Sequence, residues 1–173
     1  VATTGLLSFP VGTTNATLTV PVIGELLNEL DESFVVNLSN PTNSFITRGQ
    51  ATCIITNDDG APGVFITNTV SVVEGNSGTV THAAVTVFLS EPSGKIVTVD
   101  YATGVGTASS GTDYTSSSGT IVFPTNTTSR VITIPVVGDN NFEASENFTV
   151  RISNPRNATN VVSQDIATVT IVN

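Results

Sequence analysis

The acidic residues of this chain are gathered rather than scattered. All but Glu91, Asp100 and Asp165 fall in a few short stretches: Glu25, Glu29, Asp31 and Glu32; Asp58 and Asp59; Glu74; Asp113; and Asp139, Glu143 and Glu146. A surface built for solubility would spread its charges and mix the signs. With five Lys and Arg against fourteen Asp and Glu, almost nothing here offsets the crowding, and the net charge is −9. Carboxylates so grouped repel one another, so they call for a bound cation or for full solvation. Paired acids could also serve a glycosidase. That chemistry wants an aromatic platform for a sugar, and the chain has no Trp and only Tyr101 and Tyr114.

Two of these acid groups are the same group written twice. Residues 5–43 recur at a constant offset of 114 as residues 119–157, so that GLLSFPVGTTNATLTVPVIGELLNELDESFVVNLSNPTN lies over GTIVFPTNTTSRVITIPVVGDNNFEASENFTVRISNPRN. A repeat of this size is one domain-sized unit. The chain therefore reads as a tandem array, with a partial repeat over 1–61 and a nearly complete one over 62–173. Repeat one begins midway through the pattern that repeat two carries, and repeat two stops at Asn173, where repeat one continues Asn57-Asp58-Asp59. The expectation is a segment cut from a longer array.

The elements that must position the acids are strands. Apolar residues alternate with polar ones throughout, as in Val85, Val87 and Leu89, in Ile132, Ile134 and Val136, and in Phe148, Val150 and Ile152. This is the period of half-buried strands, and helical periodicity is absent. Repeat two holds about seven such runs separated by turn residues, the pattern of an antiparallel sandwich. Repeat one holds the last three or so, with Leu18, Val20 and Val22 over Ile132, Ile134 and Val136, and Phe34, Val36 and Leu38 over Phe148, Val150 and Ile152. So few strands leave edges and an apolar face open, so repeat one is expected to need strands from elsewhere. Cys53, the only cysteine, replaces Val169 in an alternating run and reads as a small apolar residue.

Several function classes fall away. There is no basic patch to neutralise phosphate, which argues against nucleic acid. The acidic surface argues against an anionic membrane, and no apolar run is long enough to span one. His82 is the only histidine and has no adjacent acid, and nucleophile-elbow, zinc-protease and phosphate-loop motifs are all missing. The chain does not read as an enzyme.

The residues that remain resemble the Calx-β repeat. In repeat two the resemblance is carried by SVVEGNSG (71–78), VTVDYATGVGTASSGTDY (97–114), SGTIVFP (118–124), VVGDNNFEASENFTVRISNP (136–155) and ATVTIVN (167–173). In repeat one it is carried by FPVGTTNATLTVPVIGE, NELDESFVVNLSNP and ATCIITNDD. The resemblance implies an all-β fold of tandem seven-stranded, immunoglobulin-like sandwiches, the first incomplete, with Ca²⁺ held in loops at one end. Carried over by position, it implies Glu74, Asp113, Asp139, Glu143 and Glu146 as metal ligands in repeat two, and Glu29, Glu32, Asp58 and Asp59 in repeat one. Neither set is complete: repeat two lacks the terminal Asp pair, and repeat one lacks counterparts of Glu74 and Asp113. Ca²⁺ fits such a set, because it takes six to eight oxygens, largely from carboxylates and carbonyls.

The resulting expectation is a non-catalytic calcium-binding structural or adhesive segment of a microbial extracellular or cell-surface protein. Its partners would be neighbouring repeats of the same chain or of another copy. The alternative is a homopolymer, an extracellular filament in which strands of a neighbouring chain complete repeat one.

Overall fold

The computed structural model describes residues 4–173. The complete unit begins at β3 (Gly63–Ile66) and β4 (Thr69–Val73). It continues through β5 (Val80–Leu89), β6 (Val97–Gly104), β7 (Ser118–Phe123), β8 (Ser129–Val137), β9 (Glu146–Arg156), the short β10 (Thr159–Asn160) and β11 (Ile166–Val172). Two sheets result, in the orders β10-β3-β5-β8 and β4-β11-β9-β6-β7. Of the roughly seven runs expected from the sequence, the six that begin with Val85 and end with Val172 form β5 to β9 and β11; β3, β4 and β10 complete the two sheets. Asn68 lies between β3 and β4, its carbonyl accepting from the Thr168 amide. From there β4 runs parallel to β11, with Thr69 opposite Thr168 and Val73 opposite Val172.

Alternation explains the core. Val85, Val87, Ile132, Ile134 and Val136 on one sheet meet Val97, Val99, Phe148, Val150, Ile152, Val169 and Ile171 on the other, all buried. Tyr114 stacks on Phe148 with ring centroids 4.1 Å apart. At ~25 cal/mol per Å² of apolar surface removed from water, this interior is the main source of stability. Every buried hydrophobic residue of the described chain belongs to repeat two. Among the described residues no helix is long and apolar enough to cross a membrane.

Repeat one contributes a single hairpin, β1 (Glu32–Asn37) and β2 (Gln50–Ile55). Its register repeats that of β9 and β11. Glu32 faces Ile55 and Phe34 faces Cys53, as Glu146 faces Ile171 and Phe148 faces Val169. Even the left-handed residues recur, Asn40 and Asn43 in one repeat and Asn154 and Asn157 in the other. Asn visits that conformation more readily than most residues. The strand expected over Leu18–Val22 does not form. Its counterpart β8 is held along its length by β5, from Val80–Val137 to Phe88–Ser129. Among the described residues repeat one holds no equivalent of β5, so backbone groups at 18–22 have no strand to pair with there.

Candidate metal centre

Three chain segments meet at one end of the sandwich, and each brings acidic side chains. Glu74 follows β4 directly, and its amide donates to the Val172 carbonyl at 3.0 Å, which ties it to the end of β11. Asp113 lies in the β6–β7 connection. Its carboxylate accepts from the Ser109 amide at 2.6 Å, and its carbonyl accepts from Val137 at the end of β8. Glu143 comes from the β8–β9 loop, and Glu146 is the first residue of β9. The loop before Asp113 packs closely on β9: the Asn147 amide donates to Thr107 Oγ1, and a Cβ at Gly106 would stand 2.1 Å from the Asn147 carbonyl oxygen. Only glycine fits at 106.

Asp113, Glu143 and Glu146 thus bring one carboxylate oxygen each within 4.8 Å of the others. Glu74, Ala144, Ile171 and Asn173 line the same small cavity, which has room for about one water-sized sphere. Asn173 caps it, its Nδ2 donating to Glu74 Oε2 at 3.0 Å and to the Asn141 carbonyl at 3.2 Å. Asp139 is not in this group. It lines the adjoining opening with Asn140, Asn141 and Phe142, and its Oδ1 accepts from the Asn141 amide.

The charges register the crowding. Partial desolvation, then the charges of Asp139, Asp113 and Glu74, raise the Glu143 carboxyl above its ordinary range. Glu146 is raised by its hydrogen bond to Asp113, by desolvation and by the charges of Asp113, Glu143 and Glu74. Asp113 goes the other way: burial pushes it up, but hydrogen bonds from the Ser109 amide, Thr112 and Glu146 outweigh that and hold it low. An all-oxygen set of carboxylates with an amide side chain alongside suits a hard divalent cation, and no Cys or His is present to favour a softer one.

Repeat one builds the corresponding loop differently. The turn is the same, with the Leu27 amide donating to the Glu25 carboxylate. Desolvation, then Glu32, Glu25 and Asp59, raise the carboxyl of Glu29, so Glu29, Glu32 and Asp59 share one negative field. Asp58 is exposed, and the charges that raise Glu29 are those of Glu32, Glu25 and Asp59. Asp31 accepts from the Asn57 amide at 3.0 Å. This loop also touches repeat two. Asn28 bridges to Ser93, the Gly94 amide donates to the Asn28 carbonyl at 3.0 Å, and Asn28 Nδ2 donates to the Asp59 carbonyl. Asn28 and Ser93 are both buried there.

Sequence reasoning missed Asn173, Asn28 and Ser93. The first had a signal, since Asn173 falls on Asn57 when ATVTIVN is laid over ATCIITN. The junction pair had none.

A profile of the Calx-beta domain matches residues 1–60 and again residues 58–173. The chain is 31% identical over 154 residues to the sodium/calcium exchanger Calx of Drosophila melanogaster, 88% of this chain and 16% of that protein. It is 41% identical over 69 residues to sodium/calcium exchanger 1 of Rattus norvegicus, 40% of this chain and 7% of that one. It thus spans a small part of these relatives. Among solved structures it is similar to the apo-form Calx CBD1 domain, with TM-score 0.54, 28% identity, and coverage of 64% of this chain and 96% of that chain. It is also similar to the calcium binding domain CBD12 of CALX1.1, with TM-score 0.50, 30% identity, and coverage of 61% and 41%.

Proposed function

The chain belongs to the Calx-beta domain family, and on that premise we propose that it is a non-catalytic segment whose acid-lined domain ends bind Ca²⁺. The observation that carries this reading is the convergence of Asp113, from the β6–β7 connection, with Glu143 and Glu146, from the loop leading into β9, within 4.8 Å. One similar structure is itself described as a calcium binding domain. Asp113, Glu143, Glu146, Glu74 and the side-chain oxygen of Asn173 are the groups that would hold the ion, and Asp139 is its neighbour in the outer shell of charge. In the described residues the one ion pair, Arg151 with Asp165, lies toward the other end of β11 and does not compete.

Bound Ca²⁺ supplies positive charge where the chain has none. Held by Glu74, Asp113, Glu143 and Glu146, it would offset their mutual repulsion and so order the loop of residues 138–145. At the first repeat the same relief among Glu29, Glu32 and Asp59 would stiffen the loop that seats on Ser93 and Gly94, and so fix the angle between repeats. We place this segment in an extracellular or cell-surface protein with a structural or adhesive role. The Thr-, Ser- and Asn-rich, Lys-poor composition supports that.

The test is a thermal melt in excess EDTA and again in millimolar Ca²⁺, with Mg²⁺ as control. At about a hundred times the dissociation constant a ligand adds roughly 2.7 kcal/mol, several degrees for a domain of this size. A Ca²⁺-specific rise that disappears in Glu143→Ala or Glu146→Ala is expected. Equal melts in Ca²⁺ and EDTA would refute calcium binding.

A further inference from the structure

The two sheets of the complete unit turn different faces to solvent. On the five-stranded sheet the outer face is polar and charged at its centre. Asp100 accepts from Thr120 and from Asn154 there, and Arg151, opposite Ala102, is exposed. On the four-stranded sheet the pleat gives another result. Ala83, Val85 and Val87 of β5 point into the core, so the alternate residues from Val80 to Phe88 point out. Ile132, Ile134 and Val136 of β8 point in, so those from Ser129 to Val137 point out. No outward position of β3, β5 or β8 holds an Asp, Glu, Lys or Arg. Arg130 turns off the face and donates to the Val122 carbonyl of β7 at 3.0 Å. Apolar side chains lie across the surface instead. Val131 is 60% exposed and Val80 55%, Ala84 is exposed, and Phe65 stacks on Phe88 with ring centroids 5.5 Å apart. Single exposed apolar residues are ordinary, but a contiguous patch without charge marks a contact surface.

Charge points to what covers it. With fourteen Asp and Glu and a net charge of −9, two copies of this chain repel each other. A partner held by opposite charge would be drawn to the acid loops, not to this sheet. A neutral face is the one that two copies can share without apposing carboxylates. We infer that the outer face of the β10-β3-β5-β8 sheet is a self-association surface, on which a second copy packs the same face in a two-fold dimer. Such a contact is isologous, each residue meeting its partner's residues reciprocally, and stacked sheets approach to about 10 Å. Three strands at ~4.8 Å spacing, the longest of ten residues, offer a face of roughly 30 Å by 15 Å. Two such faces bury on the order of 1,000 Å² in total, the low end for specific contacts. The dimer is therefore weak and reversible.

The experiment is analytical ultracentrifugation of the whole chain in EDTA, which removes any association bridged by metal ions. Across micromolar to millimolar concentrations the mass should move from 17.8 kDa toward twice that. Val131→Glu and Ala84→Glu should each weaken the dimer by about tenfold or more. Val122→Glu, an equally open position on the other sheet, should leave it unchanged. Melts of the dilute variants should match the parent, since all three side chains point to water. Added NaCl should tighten the dimer by screening the net repulsion, whereas it would loosen a contact held by opposite charges. Amide shifts followed by NMR on dilution should move on β3, β5 and β8 and stay fixed on β6 and β9. A chain that remains monomeric throughout overturns the second copy as the occupant. A dimer that survives both Glu variants, or shifts that move on another face, overturns the assignment of the surface.

Discussion

The loops of residues 24–32 and 138–146 share their lengths, their leading acid and their turn, yet they end in different places. In both, the leading carboxylate accepts from the amide two residues on, Glu25 from Leu27 and Asp139 from Asn141. In the second repeat the loop closes over a finished sandwich, and Glu143 and Glu146 meet Asp113. In the first, no sandwich lies behind the loop, and the charges that bear on Glu29 are those of Glu32, Glu25 and Asp59. That loop rests instead on the next domain through Asn28, whose counterpart Phe142 is fully exposed. A local motif fixes the turn and the spacing of acids, but the rest of the domain decides whether those acids become a site.

The sharpest break of that comparison separates the repeats. All the buried hydrophobic residues lie between Val64 and Ile171, so residues 62–173 expressed alone should unfold in one cooperative transition. Residues 1–61 alone should show none, because a lone hairpin is at best marginal in water. Calorimetry on the two pieces decides it. A cooperative transition in the first piece would mean that 4–31 folds over the hairpin in a way not seen here.

Next in size is the pair Phe34 and Phe148, the same residue of the repeat. Phe148 is fully buried against Tyr114, and Phe148→Ala should cost about 3–5 kcal/mol. Phe34 is half-buried in the unfinished sheet, and Phe34→Ala should cost less than ~1 kcal/mol. Urea denaturation of the two variants measures both. Comparable losses would mean that the first repeat has a core of its own.

Charge gives a third, smaller contrast. In EDTA the folded state holds Glu143 and Glu146 with raised affinity for protons. A group whose carboxyl is raised on folding contributes stability below its unfolded value and loses it as pH rises through the folded one. Melting temperature in EDTA should therefore climb as pH falls from neutrality toward the ordinary glutamate range. It should drop again at lower pH, where Asp113 and Asp100, held low in the fold, take up protons. Saturating Ca²⁺ should flatten the climb, since the cation does what the proton does. Glu143→Gln should also flatten it. A monotonic fall in EDTA would show that the cluster is relaxed in solution.

How much of this the residues disclosed follows the same division. Alternation marked the strands of repeat two because every one has a packed face, and the repeat itself aligned Glu29 and Glu32 with Glu143 and Glu146. The strands β3 and β4, divided at Asn68, were not read from the sequence. The strand at Leu18–Val22 was read from a good pattern and is absent, because pattern supplies a face but not the β5 that would pair with it. In the cluster, Asp113 and Glu74 came only through the resemblance, for they lie far along the chain from Glu143. Asp139, read with the ligands, stands one step outside.

The junction offers the finest test. Gly94 sits beneath the first loop so closely that a Cβ there would stand 2.8 Å from Cβ of Glu29 and 3.3 Å from Leu27 Cδ2. Neither the Glu29 Cβ nor the Asn28 backbone beside it is the free end of a side chain, so Gly94→Ala must lift the loop. The three atoms nearest that Cβ all belong to the first loop, so the melting of repeat two should move by less than ~0.5 kcal/mol, as for a surface change. The coupling between the repeats should change far more. Residual dipolar couplings that fit one alignment tensor for both repeats in the parent chain with Ca²⁺ should need two in the variant. The corresponding change at the other end, Phe142→Ala, should leave the single tensor intact, because that side chain has no partner. If Gly94→Ala left one tensor, the Asn28–Ser93 contact would not be what orients the first loop, and the linker at Asp58–Pro62 would have to carry the angle alone.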